Sequence, residues 1–389
     1  MILPAFIMYH NWMLDNPSTF KQLLDDEDKR RRDRRYPRAS LRVYKYSSFE
    51  YLYTSGNNQA LLNATGHDHR TFALLLSKFR YTYDYHMLSH DGTIRKKRVE
   101  NDGSPKGRPR DLNAIGALGM VLMWFRTRGS CARSISMHFG QTSTPMYKWL
   151  KFARKCLLHA LSRDVDSKVL IPTISQVKFF QEVIGAKYPL CSDVWAAADG
   201  LKLLIQKSTD ERKQNMHYNG WKSGHYINCV FVYTPDGKIA LCVLNAPGTF
   251  HYSTMAHYGI YEGMERIYEL CEGKVVVDSA FKISDGDYLI KSSQCDPFDN
   301  DALRLNRQAT TIRQLSEWGM RMIQAAFPRL KEALIYEEKG DRMVILRLMV
   351  NLYNFHCHHI GINIIQNSYT EKTNFFGHQS IDDDANAML

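Results

Sequence analysis

Two apolar periodicities divide the chain. From Leu112 onward the apolar residues fall at helical spacing, through Ile115, Leu118, Val121, Leu122 and Phe125, with Gly129 as a stop. The stretch "CARSISMHFG" predicts a second, short helix ending at Gly140. "STPMYKWLKFARKCLLHALS" predicts a third, with Ser143 as N-cap and Pro145 in the first turn. Its apolar face is Met146, Leu150, Phe152, Ala153, Cys156 and Leu157, and its other face carries Lys148, Lys151, Arg154 and Lys155. Beyond residue 190 the pattern changes. A strand is predicted around Ala196–Ala198, reaching Asp199, and two more are joined at Pro235-Asp236-Gly237, a hairpin turn. A helix follows over 261–273. Then Val275, Val276 and Val277 run straight into Asp278, as in a strand buried on both faces with a carboxylate at its mouth.

That order is strand, strand, strand, helix, strand. A meander followed by a helical crossover places the fourth strand beside the first. Asp199 and Asp278 then become neighbours. Two adjacent carboxylates repel unless a cation lies between them, and oxygen ligands suit Mg²⁺ or Mn²⁺. A third acid is available in "TIRQLSEWGMRMIQAAFPRLKEAL", a helix with an apolar stripe from Ile312 to Leu330. There Glu317 lies between Arg313 and Arg321, which alone reads as a surface ladder of opposite charges. With the two aspartates, it completes a set that could hold two ions for phosphodiester chemistry.

Charge sharpens the division. The chain of 389 residues carries a formal +11, but residues 1–165 hold 28 Lys and Arg against 14 Asp and Glu, and the remainder is mildly acidic. A basic half joined to an acidic half suggests a module for a polyanion. Seven of the ten residues in "KRRRDRRYPR" (29–38) are basic, as in a nuclear localisation signal or a phosphate-contacting arm. "RKKR" at 95–98 lies in a polar, apolar-poor stretch read as a linker. It closes on "PKGRPR", which resembles an AT-hook core with Lys106 in place of Arg, followed by Arg108 and Arg110. A short helix, a tight turn and a basic helix together form a helix-turn-helix candidate for duplex DNA. The eight cysteines are scattered without a CxxC pair and read as reduced thiols. The apolar start lacks the basic region and small-residue site of a signal peptide, and no apolar run approaches the roughly 20 residues of a membrane span.

Residues 190–355 resemble the DDE endonuclease domain of PIF/Harbinger transposases, through "AADG", "YNGWKSGH", "PDGKI", "APGTFHYSTM", "VVVDSAF" and "RQLSEWG" in that order. The resemblance implies an α/β fold: an RNase H-like mixed sheet with helices on both faces, preceded by an α-helical helix-turn-helix region. It implies Asp199, Asp278 and Glu317 as catalytic, metal-holding acids, with two Mg²⁺ or Mn²⁺ ions. Arg313 occupies the place of an Arg found in related insertion-sequence transposases, whereas their Tyr and Lys around the Glu are replaced by Thr310 and Gln324. One departure matters: where the family has His-Asp-Ser, this chain has His251-Tyr252-Ser253. Tyr252 cannot act as a carboxylate at neutral pH, so activity is intact, weakened or lost depending on whether that position touches metal. His251, Tyr252 and Arg313 are expected around the acids.

The expected organisation is a basic, aromatic helical region (1–90), a basic linker (91–110), a helix-turn-helix domain (111–165), a connector (166–190), a nuclease domain (191–355) and a tail (356–389). Expected partners are double-stranded DNA, further copies of the chain on DNA and, through the resemblance, a separate Myb-like protein. The expected location is the nucleus. The cluster His356-Cys357-His358-His359 has zinc-ligand residue types, but adjacent residues point in different directions and no second pair lies at finger spacing.

Overall fold

The computed structural model describes residues 38–107, 110–128, 131–281, 286–291, 299–334, 339–360 and 364–369. Its N-terminal part is helical: α1 (Ser48–Thr54), α2 (Asn58–Thr65), α3 (His69–Tyr85), α4 (Ala114–Arg126), α5 (Cys131–Phe139) and α6 (Ser143–Leu161). Local chemistry sets the starts. The side chains of Ser47, Asn57, Asp68 and Asn113 each accept a backbone N–H three residues on, which satisfies one of the open donors of the first turn. At α6 the helix begins at Ser143 itself, so the N-cap is Thr142 and its side chain makes no cap bond. Helix α4 is buried almost all round, as its uninterrupted apolar composition requires. Gly116 and Gly119 let it pass close under the rings of Tyr44 and Phe49, where a Cβ would collide.

The stretch expected to be a linker is partly structured. Strands β1 (His86–Leu88) and β2 (Ile94–Lys96) form an antiparallel hairpin, and Val99 bridges Pro105. Its turn rests on Asp91, whose carboxylate accepts from the Thr93 amide and hydroxyl, with Gly92 at φ 77°. The Gly and Asp residues that read as linker composition are equally the residues of tight turns.

The second part is built on a mixed sheet. Strand β3 (Val194–Leu204) pairs antiparallel with β5 (Gly224–Tyr233) and parallel with β7 (Lys274–Val277). Strand β6 (Ile239–Pro247) and the short β4 (Tyr218–Asn219) flank β5, and β8 (Leu289–Lys291) adds to β7 in parallel. The fourth principal strand therefore lies beside the first, as the strand order requires. An ion pair of 2.9 Å between Lys274 and Asp193 pins the start of that parallel pairing. Residues 194–198 are all buried, because helices cover both faces. One face of the sheet carries Ala197, Leu201, Phe231, Tyr233 and Val276. It is covered by α11 (Asn300–Ala326) and α12 (Lys339–His359). The other face carries Trp195, Ala196, Ala198, Val230 and Val277. It is covered by α7 (Ile174–Lys187), α9 (Tyr252–Ala256) and α10 (Ile260–Cys271). Helix α8 (Glu211–His217) precedes β4, and α13 (Ile364–Tyr369) packs against α7 and α11.

Helix α10 ends at Cys271, two residues before Gly273. Glu272, at φ 56°, takes the left-handed position that ends α10, while Gly273 lies against Ile267, Trp195 and Val177 with no room for a Cβ. Helix α12 runs through the expected tail boundary at 356, because Phe355 and Cys357 are buried against the core. The helical part and the sheet share one apolar cluster: α12 packs on α6, and the rings of Phe125 and Phe327 lie 5.3 Å apart. No helix among the described residues is long and apolar enough to cross a membrane.

Candidate active site

Side-chain alternation decides what the sheet presents. Residues 197, 199, 201 and 203 of β3 point to one face, and 276 and 278 of the β7 segment point the same way. Ala197, Leu201, Leu203 and Val276 all belong to the cluster under α11 and α12. Asp199 thus faces α11, and Ala198 pairs with Val277, so the next residue on each chain, Asp199 and Asp278, are neighbours on adjacent parallel backbones. Glu317 is carried by α11, which packs on β3, β5 and β7. Gly319 permits that approach: a Cβ there would lie 2.4 Å from the Tyr233 ring. Three elements therefore bring one carboxylate each to one region.

Burial pushes the Asp199 carboxyl up to about 6, and the charges of Asp278 and Glu317 push in the same direction. The Gly200 amide, donating to Asp199 Oδ1 at 2.6 Å, and the Arg313 guanidinium oppose them. Arg313 lies 2.7 Å from Glu317, so the ladder read as a surface feature reaches into the site. The Ser279 amide donates to Asp278 at 2.6 Å. An acid raised by burial and by two nearby carboxylates is a site whose charge a divalent cation would balance, and an all-carboxylate donor set fits Mg²⁺ or Mn²⁺.

Tyr252 is the first residue of α9, with His251 at its N-cap. Its ring lies where a Cβ on Gly200 would fall, 2.1 Å away, which explains why Gly follows Asp199. Gly200 faces the opposite side of β3 from Asp199, so the phenol packs across the sheet from the side on which the acids gather. It stacks near Phe281, and the Lys202 ammonium lies 5.8 Å from its centroid. Burial, together with Asp199 and Asp278, raises its pKa, so the phenol is neutral.

The basic residues expected to meet DNA are placed less uniformly. Arg110 donates to the carbonyls of Tyr83 and His86 and stacks between the rings of Tyr83 and Phe152. Lys151 pairs with Asp341 at 2.6 Å, and Lys155 lies 3.8 Å from the same acid and donates to Gly92. Arg154 covers the Trp124 ring. Helix α6 thus uses most of its basic face against the chain itself. Lys106 and Lys148 are exposed. Arg108, and residues 29–37 of the basic run, lie outside the described residues.

One cluster has no signature in the sequence. Asp166, in the turn after α6, meets His358 and His359 at the end of α12. The histidines are visible as candidate ligands, but the acid is nearly two hundred positions away and no local signal connects them.

Residues 198–354 match the sequence profile of the DDE superfamily endonuclease family, a span that contains all three acids. Neither the curated proteins nor the solved structures gave a match.

Proposed function

We propose that this chain is a transposase-like, metal-dependent DNA endonuclease of the PIF/Harbinger type, with Asp199, Asp278 and Glu317 as its catalytic acids. The observation that carries the reading is that three carboxylates, from β3, the end of β7 and α11, lie toward one face of the sheet, with Asp199 raised first by burial and then by the charges of the other two. In this reading the three acids hold one or two Mg²⁺ or Mn²⁺ ions. When bound, such ions supply an activated water for phosphodiester hydrolysis and charge stabilisation for the leaving 3′ oxygen. Arg313 holds the Glu317 carboxylate and lowers the charge density of the cluster. Gly200 and Tyr252 fix β3 from behind, and Lys106 and Lys148 are exposed cations available to phosphates. Strand transfer by the freed 3′ end, assembly of copies on DNA, a Myb-like partner, use of α5 and α6 as a helix-turn-helix and a nuclear location belong to the same proposal.

A second reading, a transposase-derived DNA-binding protein without cleavage, rests on Tyr252, which lies close enough to Asp199 and Asp278 to feel their charge. Its packing on the far face of β3 favours the active reading. Labelled duplex incubated with the full chain and Mg²⁺ or Mn²⁺ separates the two. Nicking that chelator abolishes supports the nuclease. An inert wild type beside an active Tyr252→Asp variant would establish the second reading instead.

A further inference from the structure

Asp166, His358 and His359 come from two elements far apart in sequence, yet their donor atoms lie within 4.8 Å of one another. His358 Nε2 is 3.3 Å from Asp166 Oδ1, and His359 Nε2 is 3.5 Å from Oδ2. Zinc bonds of about 2.0–2.1 Å at tetrahedral angles separate ligand atoms by about 3.3–3.4 Å, so each contact taken singly is close to a tetrahedral edge, one to each oxygen of the carboxylate. The side chains are 28, 19 and 32 % exposed for His358, His359 and Asp166, a covered pocket that still reaches solvent. His359 Nε2 is itself buried and makes no hydrogen bond, so its capacity is aimed into the cluster and unused. Consecutive helical residues normally diverge; here both occupy the last turn of α12, and their rings approach to 4.7 Å.

We propose that Asp166, His358 and His359 form a binding site for one borderline divalent transition ion, of which Zn²⁺ is the type, with water completing the shell. Two imidazoles and one carboxylate suit such an ion and not Mg²⁺. The site is separate from the acid cluster. It lies beside the β5–β6 turn, where Lys238, opposite Thr234, meets His358, whereas Asp199 pairs with Phe231, on the order of 10 Å back along β5 at about 3.3 Å per residue. An ion there would tie the turn after α6 to α12, joining the helical part to the sheet, and its binding energy would add to stability.

Lys238 makes the proposal specific. Its ammonium lies 3.2 Å from His358 Nδ1 and can only donate, so the ring proton is on Nε2, facing Asp166. Binding an ion at Nε2 shifts that proton to Nδ1, which then donates rather than accepts and requires the ammonium to withdraw. Removing the ammonium should therefore strengthen binding.

The test is titration of chelator-treated full chain with Co²⁺, followed by visible absorption, then competition with Zn²⁺. The expected result is one equivalent of tetrahedral Co²⁺ displaced by Zn²⁺, a higher melting temperature with Zn²⁺, and binding weakened at least about 100-fold by Asp166→Asn or His359→Gln. Lys238→Met should bind more tightly, and Asp278→Asn should bind as wild type, which keeps this site distinct from the proposed nuclease centre. Absence of a saturable cobalt band in the wild type would overturn the proposal. So would a band that survives Asp166→Asn or disappears in Asp278→Asn.

Discussion

The helical part and the sheet treat charge in opposite ways. On α6 and around it, basic side chains are discharged against the chain: Lys151 and Lys155 on Asp341, Arg154 on Trp124, Arg110 between two rings and two carbonyls. At the sheet, Asp199, Asp278 and Glu317 are brought together with Arg313 alongside Glu317, and Asp199 is kept partly protonated by burial and by its fellow acids. The lesson concerns what marks a site. A net positive charge of a segment does not reveal which cations are free, whereas like charges gathered by three separate elements are a cost that a fold bears for a ligand.

The largest expected effect is on chemistry. Asp278→Asn or Glu317→Gln should reduce Mg²⁺-dependent nicking by about 1,000-fold or more, about 4 kcal/mol of barrier, with the melting temperature little changed. Cleavage rates within about tenfold of wild type would remove these acids from the centre.

Next is a stability effect with a defined pH sign. The carboxyl of Asp199 titrates near 6 in the folded chain, above its ordinary value of 3.8. The folded state therefore binds this proton more tightly than the unfolded one. The associated stability is fully present below about pH 4 and is lost as pH rises through about 6, amounting to about 3 kcal/mol at most. Without metal, Asp199→Asn should stabilise the chain by up to that amount at about pH 8 and by almost nothing at about pH 4. Denaturant unfolding at the two pH values checks it, and an equal effect at both would contradict the clustering.

A third prediction isolates the far side of β3. Gly200→Ala drives a Cβ into the Tyr252 ring, and overpacking of this kind costs about 1–3 kcal/mol. Tyr252→Ala in the same chain should recover most of the loss in a double-mutant cycle. Additive losses would show that the two residues do not share that space.

The smallest effect sharpens the comparison itself. Removing an exposed cation, Lys106 or Lys148, should lower the slope of log K against log salt by about 0.9 for each phosphate that the cation neutralises. Lys155→Ala should leave the slope near its wild-type value and cost stability instead. Equal slope changes would mean that the engaged lysines turn outward on DNA.

Much of this arrangement is legible in the residues. The valine run into Asp278, the Pro235-Asp236-Gly237 turn and the helical crossover between them place β7 beside β3, and alternation then sets the face of both aspartates. Glu317 is readable only as one of two things, because a helix-borne acid next to an arginine looks the same on a surface as in a site. Strand β8 has no readable signal, because three residues carry no periodicity. The fate of the basic face of α6 is not legible at all. It depends on Asp341 and Trp124, which tertiary packing alone brings into reach. The Asp166 contact to the terminal histidines is hidden for the same reason.

The central claim is that Asp199, Asp278 and Glu317 form one cation site. Calorimetric titration with Mg²⁺, an ion that avoids imidazole ligands, tests it most directly when run at about pH 6 in two buffers of different ionisation enthalpy. The account predicts saturable binding with release of a fraction of a proton per ion, since Asp199 is about half protonated there, and loss of that binding in Asp199→Asn, Asp278→Asn and Glu317→Gln alike. Mg²⁺ binding without proton release, unchanged in Asp199→Asn, would contradict it.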